Sequence, residues 1–170
     1  YTCGSFDLFH IGHLNILKKA KRQCDFLIVG LNSDETMQRV KNKMPIIEYK
    51  ERKKILEAIR YVDKVIKVEC LKAGDKADDW EIRKKADVVF SGDDHINGAE
   101  WQELIKYKQK YGGKVVFFPY TKTTSSSLIR KVLEEKVTNL KSKIVEESKR
   151  REDLSIKLEN YENEIDKIDS

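Results

Sequence analysis

At 170 residues the chain can build one globular domain with its own core and an appendage, but not two full-sized domains. Hydrophobic residues make up 39% and charged residues 37%, and no apolar run approaches membrane-spanning length, which argues against a helical span and against a membrane partner. The net charge of +5 is uneven: residues 1–130 carry 25 basic and 18 acidic groups and residues 131–170 carry 9 and 11, so the first part suits a phosphate-rich ligand.

Three cysteines, Cys3, Cys24 and Cys70, are too few and too scattered for a disulfide framework or a metal site, and they fit a reducing cytoplasm. The chain opens on Tyr1 in what reads as the end of a strand, so further sequence is expected ahead of it. Strands ending at Cys3 and covering 26–31, 64–68, 88–91 and 115–118 alternate with helices over 12–22, 50–60, 79–84 and 99–111. This alternation predicts an α/β fold, a doubly wound parallel sheet of Rossmann-like type over residues 1–130, with its ligand at the carboxyl ends of the strands.

The first strand runs into Gly4-Ser5-Phe6-Asp7-Leu8-Phe9-His10-Ile11-Gly12-His13, where a helix begins. Both imidazoles then sit at a helix N-terminus, where free N–H groups and the macrodipole already favour an anion. Gly12 between them lets a nucleotide approach the backbone, and the pair can stabilise charge growing on a phosphate in a transition state. After the second strand comes Asn32-Ser33-Asp34-Glu35, then Lys41-Asn42-Lys43 in a predicted loop. Arg52 and Arg60 fall eight residues apart in one predicted helix, on related faces two turns apart. Gly92-Asp93-Asp94 follows the fourth strand at the ligand edge, and Tyr120-Thr121-Lys122-Thr123-Thr124-Ser125-Ser126-Ser127 follows the fifth. The hydroxyls and free N–H groups of that last turn make a phosphate cap.

In these segments the chain resembles the cytidylyltransferase family of HxGH nucleotidyltransferases, and within it the bacterial glycerol-3-phosphate cytidylyltransferases, over about residues 1–132. The likeness implies transfer of CMP from CTP to a small phosphorylated alcohol with Mg2+ on the triphosphate, and teichoic-acid or capsule precursor synthesis. It implies catalytic roles for His10, His13, Lys43 and Arg60. Gly4, Ser5, Phe6, Asp7, Gly12, Gly92, Asp93, Asp94, Thr124, Ser125 and Ser126 would bind the nucleotide, and Lys41, Tyr120 and Lys122 the acceptor. No side chain is assigned as a metal ligand. Two departures stand out in the last turn: Tyr120 where the family has an arginine, and Thr123 where it has a glycine. They leave open a changed acceptor or weakened catalysis. The alternatives are another phosphate acceptor, adenylyl transfer, or a nucleotide-binding module without catalysis. Nucleic-acid binding is not expected, since basic residues form no stripe and aromatics are not interleaved.

Past Thr124 the pattern becomes one long helix. Leu133, Val137, Leu140, Ile144, Leu154, Leu158, Tyr161, Ile165 and Ile168 keep a four-three alternation once Glu147 and Arg151 are counted. That heptad seam over 131–170 predicts a coiled coil and a homodimer, against a single helix lying on the core or a spacer to another domain.

Overall fold

The computed structural model describes residues 1–70, 77–121 and 123–168, without the side chains of 41, 162 and 164–168. Five short strands form one all-parallel sheet: β1 (Thr2–Gly4), β2 (Ile28–Asn32), β3 (Lys64–Val68), β4 (Val88–Gly92) and β5 (Lys114–Phe118), in the order β3-β2-β1-β4-β5. Strand β2 is paired along its whole length with β3 and reads as a continuous apolar run, as expected of a strand covered on both faces. Flanking helices are α1 (Ile11–Lys21), α2 (Asp34–Lys41), α3 (Tyr49–Glu57), α4 (Trp80–Lys85) and α5 (Ala99–Tyr111). This is the Rossmann-like arrangement that the alternation of the sequence predicts.

Alternate strand residues feed two separate cores. Val29, Leu31, Phe90 and Phe118 meet Leu17 and Ala20 of α1 and Leu56 of α3. Val89, with Ile28, Ile66 and Phe117, meets Trp101 and Leu104 of α5 on the opposite face. The second core also holds a buried polar chain: the Tyr1 hydroxyl donates to Asp79 at 2.5 Å, and Arg83 donates to Asp79 at 2.9 Å and to Glu100 at 2.8 Å. Charges this deep persist only when paired. The Tyr1 ring crosses Gly30 so closely that a Cβ there would lie 1.8 Å from its hydroxyl.

Where the order of the strands reverses, β1 and β4 pair only at Thr2 and Phe90. Beyond that level the two strands have no ladder between them, and the crevice of a doubly wound sheet opens at their carboxyl ends.

Two elements differ from the sequence reading. Helix α2 appears where the sequence reading assigned no element, started by Ser33, whose hydroxyl accepts the Thr36 N–H at 3.1 Å. And α3 stops at Glu57, so Arg60 lies in the following turn and does not share a helix with Arg52. Ile59, Tyr61 and Val62 all pack on the first core. One helical face cannot present positions 59 and 61 together, since they lie about 200° apart around the axis. Asp63 then accepts the Leu27 N–H and a Lys21 ammonium, both at 2.6 Å, which fixes the entry into β3.

By its contacts the chain divides into residues 1–126 and 127–170. The second is carried by one helix, α6 (Ser126–Ile168), about 65 Å long at the usual rise. Among the described residues, no helix is long and apolar enough to cross a membrane.

Candidate active site

The loop from β1 into α1 is the centre of the site, and its backbone is unusual. Phe6 (φ 48°) and Leu8 (φ 50°) both occupy the left-handed region without being glycine, a conformation that costs of order 1 kcal/mol or more per residue and persists only where the surroundings impose it. Three sets of contacts impose it here. Phe6 is buried in the first core. The Asp7 carboxylate accepts the N–H groups of Ile46 and Ile47 at 3.1 and 2.9 Å, and its carbonyl accepts the Ser126 hydroxyl at 2.6 Å. Arg52 donates to the Ser5 carbonyl.

Arg52 is 1% exposed and ties together segments far apart in sequence. Its guanidinium reaches the carbonyls of Ser5, Asn32 and Ile47 and the Asp34 carboxylate, the last at 2.6 Å. Asp34 in turn accepts the Tyr49 N–H at 3.1 Å. A rigid five-donor fork suits this task as an ammonium would not. Arg52 therefore positions the loops around the site. Its signal in the sequence was position: Arg52 and Leu56, one turn apart, form the buried face of α3.

The loop delivers His10 to the N-cap of α1 in an extended conformation, φ −141° and ψ 176°. Its Nδ1 accepts the Gly12 N–H at 3.0 Å. In the neutral ring the proton therefore sits on Nε2, which becomes a donor. Burial pushes the His10 pKa below its ordinary value of 6.5, which keeps the ring neutral at physiological pH. The His13 ring lies 3.9 Å from that of His10, centroid to centroid, and is backed by Phe6 and Phe9 at 5.2 and 5.6 Å. Gly12 is required by this packing: a Cβ would fall 2.7 Å from His10 Cε1.

Three further segments close on this centre. Asn15 of α1 donates to the Thr121 hydroxyl at 3.3 Å, which holds the stretch after β5 beside the helix. Tyr120 donates its N–H to the Asp93 carboxylate at 3.1 Å, linking the ends of β4 and β5. Gly92 ends β4, and Asp93-Asp94-His95 forms a single 3-10 turn in which His95 stacks on Trp101. Thr124, Ser125 and Ser126 lead half-buried into α6.

Of the residues singled out in the sequence, the structure thus joins Gly4 to Asp7, His10, Gly12 and His13 with Gly92, Asp93, the Tyr120 backbone and Ser126. Asp7 points inward to Ile46 and Ile47, and the Tyr120 side chain is half-exposed. Asp94 is exposed beside His95. Lys43 is exposed in the loop between α2 and α3, whose far end Asp7 clamps. Arg60 is exposed and donates to the Tyr61 hydroxyl at 2.8 Å. Lys122 lies outside the described residues, as does the side chain of Lys41. Asn15 and Thr121 escaped the sequence reading because nothing in an isolated Asn or Thr announces a partner 106 residues away.

Residues 1–132 match the family described as Cytidylyltransferase-like. The chain is similar to the glycerol-3-phosphate cytidylyltransferase of Staphylococcus aureus, with 38% identity over 133 residues, 78% of this chain and 92% of that protein. For the Bacillus subtilis protein of the same name the identity is 34% over 129 residues, 76% of this chain and 92% of that protein. It is also 35% identical over 137 residues to the bifunctional protein HldE of Trichlorobacter lovleyi, covering 79% of this chain and spanning only 26% of that protein. Among solved structures, a lipopolysaccharide core biosynthesis protein from Thermoplasma volcanium superposes with a TM-score of 0.52 at 25% identity, covering 72% of this chain and 95% of that one. The chain belongs to the cytidylyltransferase-like family of nucleotidyltransferases.

Proposed function

We propose that the chain transfers CMP from CTP to a small phosphorylated alcohol, glycerol 3-phosphate first among them, giving CDP-glycerol and pyrophosphate. The observation that carries this reading is the state of His10: a neutral ring whose Nδ1 is committed to the helix cap, leaving Nε2–H as a fixed donor beside His13 at a helix N-terminus. An acceptor phosphate oxygen attacks the α-phosphorus of CTP in line, forming one P–O bond while the bond to the β-phosphate oxygen breaks. A phosphate dianion is nucleophilic near neutral pH, so no protein base is needed, and positioning with charge stabilisation supplies the acceleration. His10 and His13 hold the charge that grows on the α-phosphate.

Lys43 and Arg60, both exposed cations, neutralise phosphate charge, and Lys41, Tyr120 and Lys122 are assigned to the acceptor in this reading. Thr124, Ser125 and Ser126 hold the leaving pyrophosphate with hydroxyls and amides at the start of α6. Among the described residues, no group of three or more His, Cys, Asp or Glu side chains is placed to hold a metal. The carboxylates of Asp93 and Asp94 at the end of β4 are hard oxygen donors of the kind magnesium takes, which fits an ion carried on the triphosphate. When bound, the ion would offset triphosphate charge. The reaction is placed in the cytoplasm, and no nucleic acid takes part.

A second acceptor class, a sugar phosphate, is favoured by the similarity to HldE and to the lipopolysaccharide core biosynthesis protein. Tyr120 and Thr123, standing where arginine and glycine were expected, are consistent with it. The test is pyrophosphate release with magnesium across CTP, ATP, UTP and GTP, against glycerol 3-phosphate, phosphoethanolamine, phosphocholine and sugar 1-phosphates, with His10→Ala as control. Release with CTP and one acceptor, lost in the control, supports the reading and names the acceptor. Release with ATP alone replaces CMP transfer by AMP transfer, and nucleotide binding without release replaces it by a binding module.

A further inference from the structure

The family match ends at residue 132, and nothing in the catalytic reading accounts for α6 beyond it. Its seam is solvent-exposed along the described length. Val137, Leu140, Ile144, Leu154, Leu158 and Tyr161 are each between 50% and 65% exposed. Apolar side chains repeating at this spacing mark the face that one helix offers another. The alternation assigns Val137, Ile144, Arg151 and Leu158 to one set of core positions (a) and Leu140, Glu147, Leu154 and Tyr161 to the other (d).

We propose that α6 pairs with α6 of a second copy of this chain as an antiparallel two-stranded coiled coil centred on Lys149. The charged layers choose both the occupant and its direction. In a parallel, in-register pair each core residue faces itself, so Glu147 would face Glu147 of the other copy and Arg151 would face Arg151, in two successive desolvated layers. Lys136 would also lie beside Lys141 on the rim. In the antiparallel pair each a residue faces a d residue, and the seam is self-complementary. Val137 meets Tyr161, Leu140 meets Leu158, Ile144 meets Leu154, and Glu147 meets Arg151, each layer occurring twice about the two-fold axis.

Only the antiparallel register pairs every charged core layer with its opposite and every apolar layer with an apolar one. Its rim does bring Lys143 near Lys157 and Arg150 near its own copy. Rim charges are screened by water and salt, whereas core charges are not, so the core layers decide. Branched residues at a with Leu at d favour two strands, and Val137 and Ile144 with Leu140 and Leu154 meet that pattern. It is known from parallel pairs, and the stacked like charges outweigh it here. Val145 and Ile156 fall outside the seam and have no part in it. The proposal does not depend on which nucleotide or acceptor the site takes.

The test uses the full chain. Sedimentation equilibrium is expected to give a dimer for the parent, a dimer Kd raised at least tenfold for Glu147→Arg, and recovery for Glu147→Arg combined with Arg151→Glu. Direction is read by oxidation: Ile144→Cys with Leu154→Cys should give a 144-to-154 disulfide between copies, identified by peptide mass, and Ile144→Cys alone should give none at 144. A monomeric parent, a trimer or tetramer, a dimer indifferent to Glu147→Arg, or a 144-to-144 link would each overturn the proposal.

Discussion

Residues 1–126 and α6 follow the same rule of apolar periodicity with opposite results. In the first, the apolar stripes of α1, α3 and α5 find their cover within the chain: α1 and α3 on one face of the sheet, α5 on the other. In the second, a seam of comparable regularity is left in solvent. Periodicity says which face of an element will be buried, and only the number of elements available says whether the partner is local. The first unit should therefore respond to substitutions through its own stability and chemistry, and α6 through association.

The largest effect is expected at Arg52. Arg52→Ala leaves three carbonyls and the Asp34 carboxylate without their donor in a buried setting, and should cost about 3–5 kcal/mol in denaturant unfolding. Arg52→Lys should recover only part, because an ammonium cannot reach four acceptors in a plane.

Next comes His10→Asn, which separates two roles of one residue. Asparagine is a good N-cap, so thermal stability should barely change, while loss of the Nε2 donor should lower kcat about 100-fold or more. Gly12→Ala should act in the same direction by pushing the His10 ring out of place. If His10→Asn instead unfolded the protein with catalysis per folded molecule unchanged, the ring would be structural only.

Asp7→Ala removes the acceptor of two backbone N–H groups and should cost about 2 kcal/mol. It should also raise KM for nucleotide, because the loop carrying Lys43 loses its anchor.

The smallest effect concerns pH. The His10 pKa is depressed in the folded state, so the unfolded chain takes up its proton first as pH falls. Its contribution to stability is complete above about 6.5 and is lost as pH falls through the lower folded value. A shallow decline of stability on that acid side should disappear in His10→Asn. A decline that survives the substitution would assign it to other groups.

How far the sequence could be read follows the same physics. Strands β2, β4 and β5 were legible as apolar runs between turn residues, and β3 and α5 came out with unchanged limits. Helix α2 was not, because Asp-Glu-Thr-Met-Gln-Arg-Val-Lys offers little apolar stripe and depends on the Ser33 cap and on Met37. Arg60 was placed in a helix because Ile59 continues the apolar spacing of Ile55 and Leu56, and nothing local reveals that Tyr61 is drawn to the same core. In the site, the two histidines and Gly12 were readable as a motif. The tasks of Asp7 and Arg52 were not, since both depend on backbone groups 39 to 47 residues distant that no spacing rule connects.

The central claim is transfer of CMP from CTP to a phosphate oxygen, and phosphorus NMR of the products tests it most directly. With CTP, magnesium and glycerol 3-phosphate or a sugar 1-phosphate, the account predicts a coupled pair of diphosphate-diester resonances appearing in step with pyrophosphate, and both about 100-fold more slowly or not at all with His10→Asn. Release of CMP or CDP without a new diester, or a diester formed equally well by His10→Asn, would contradict it.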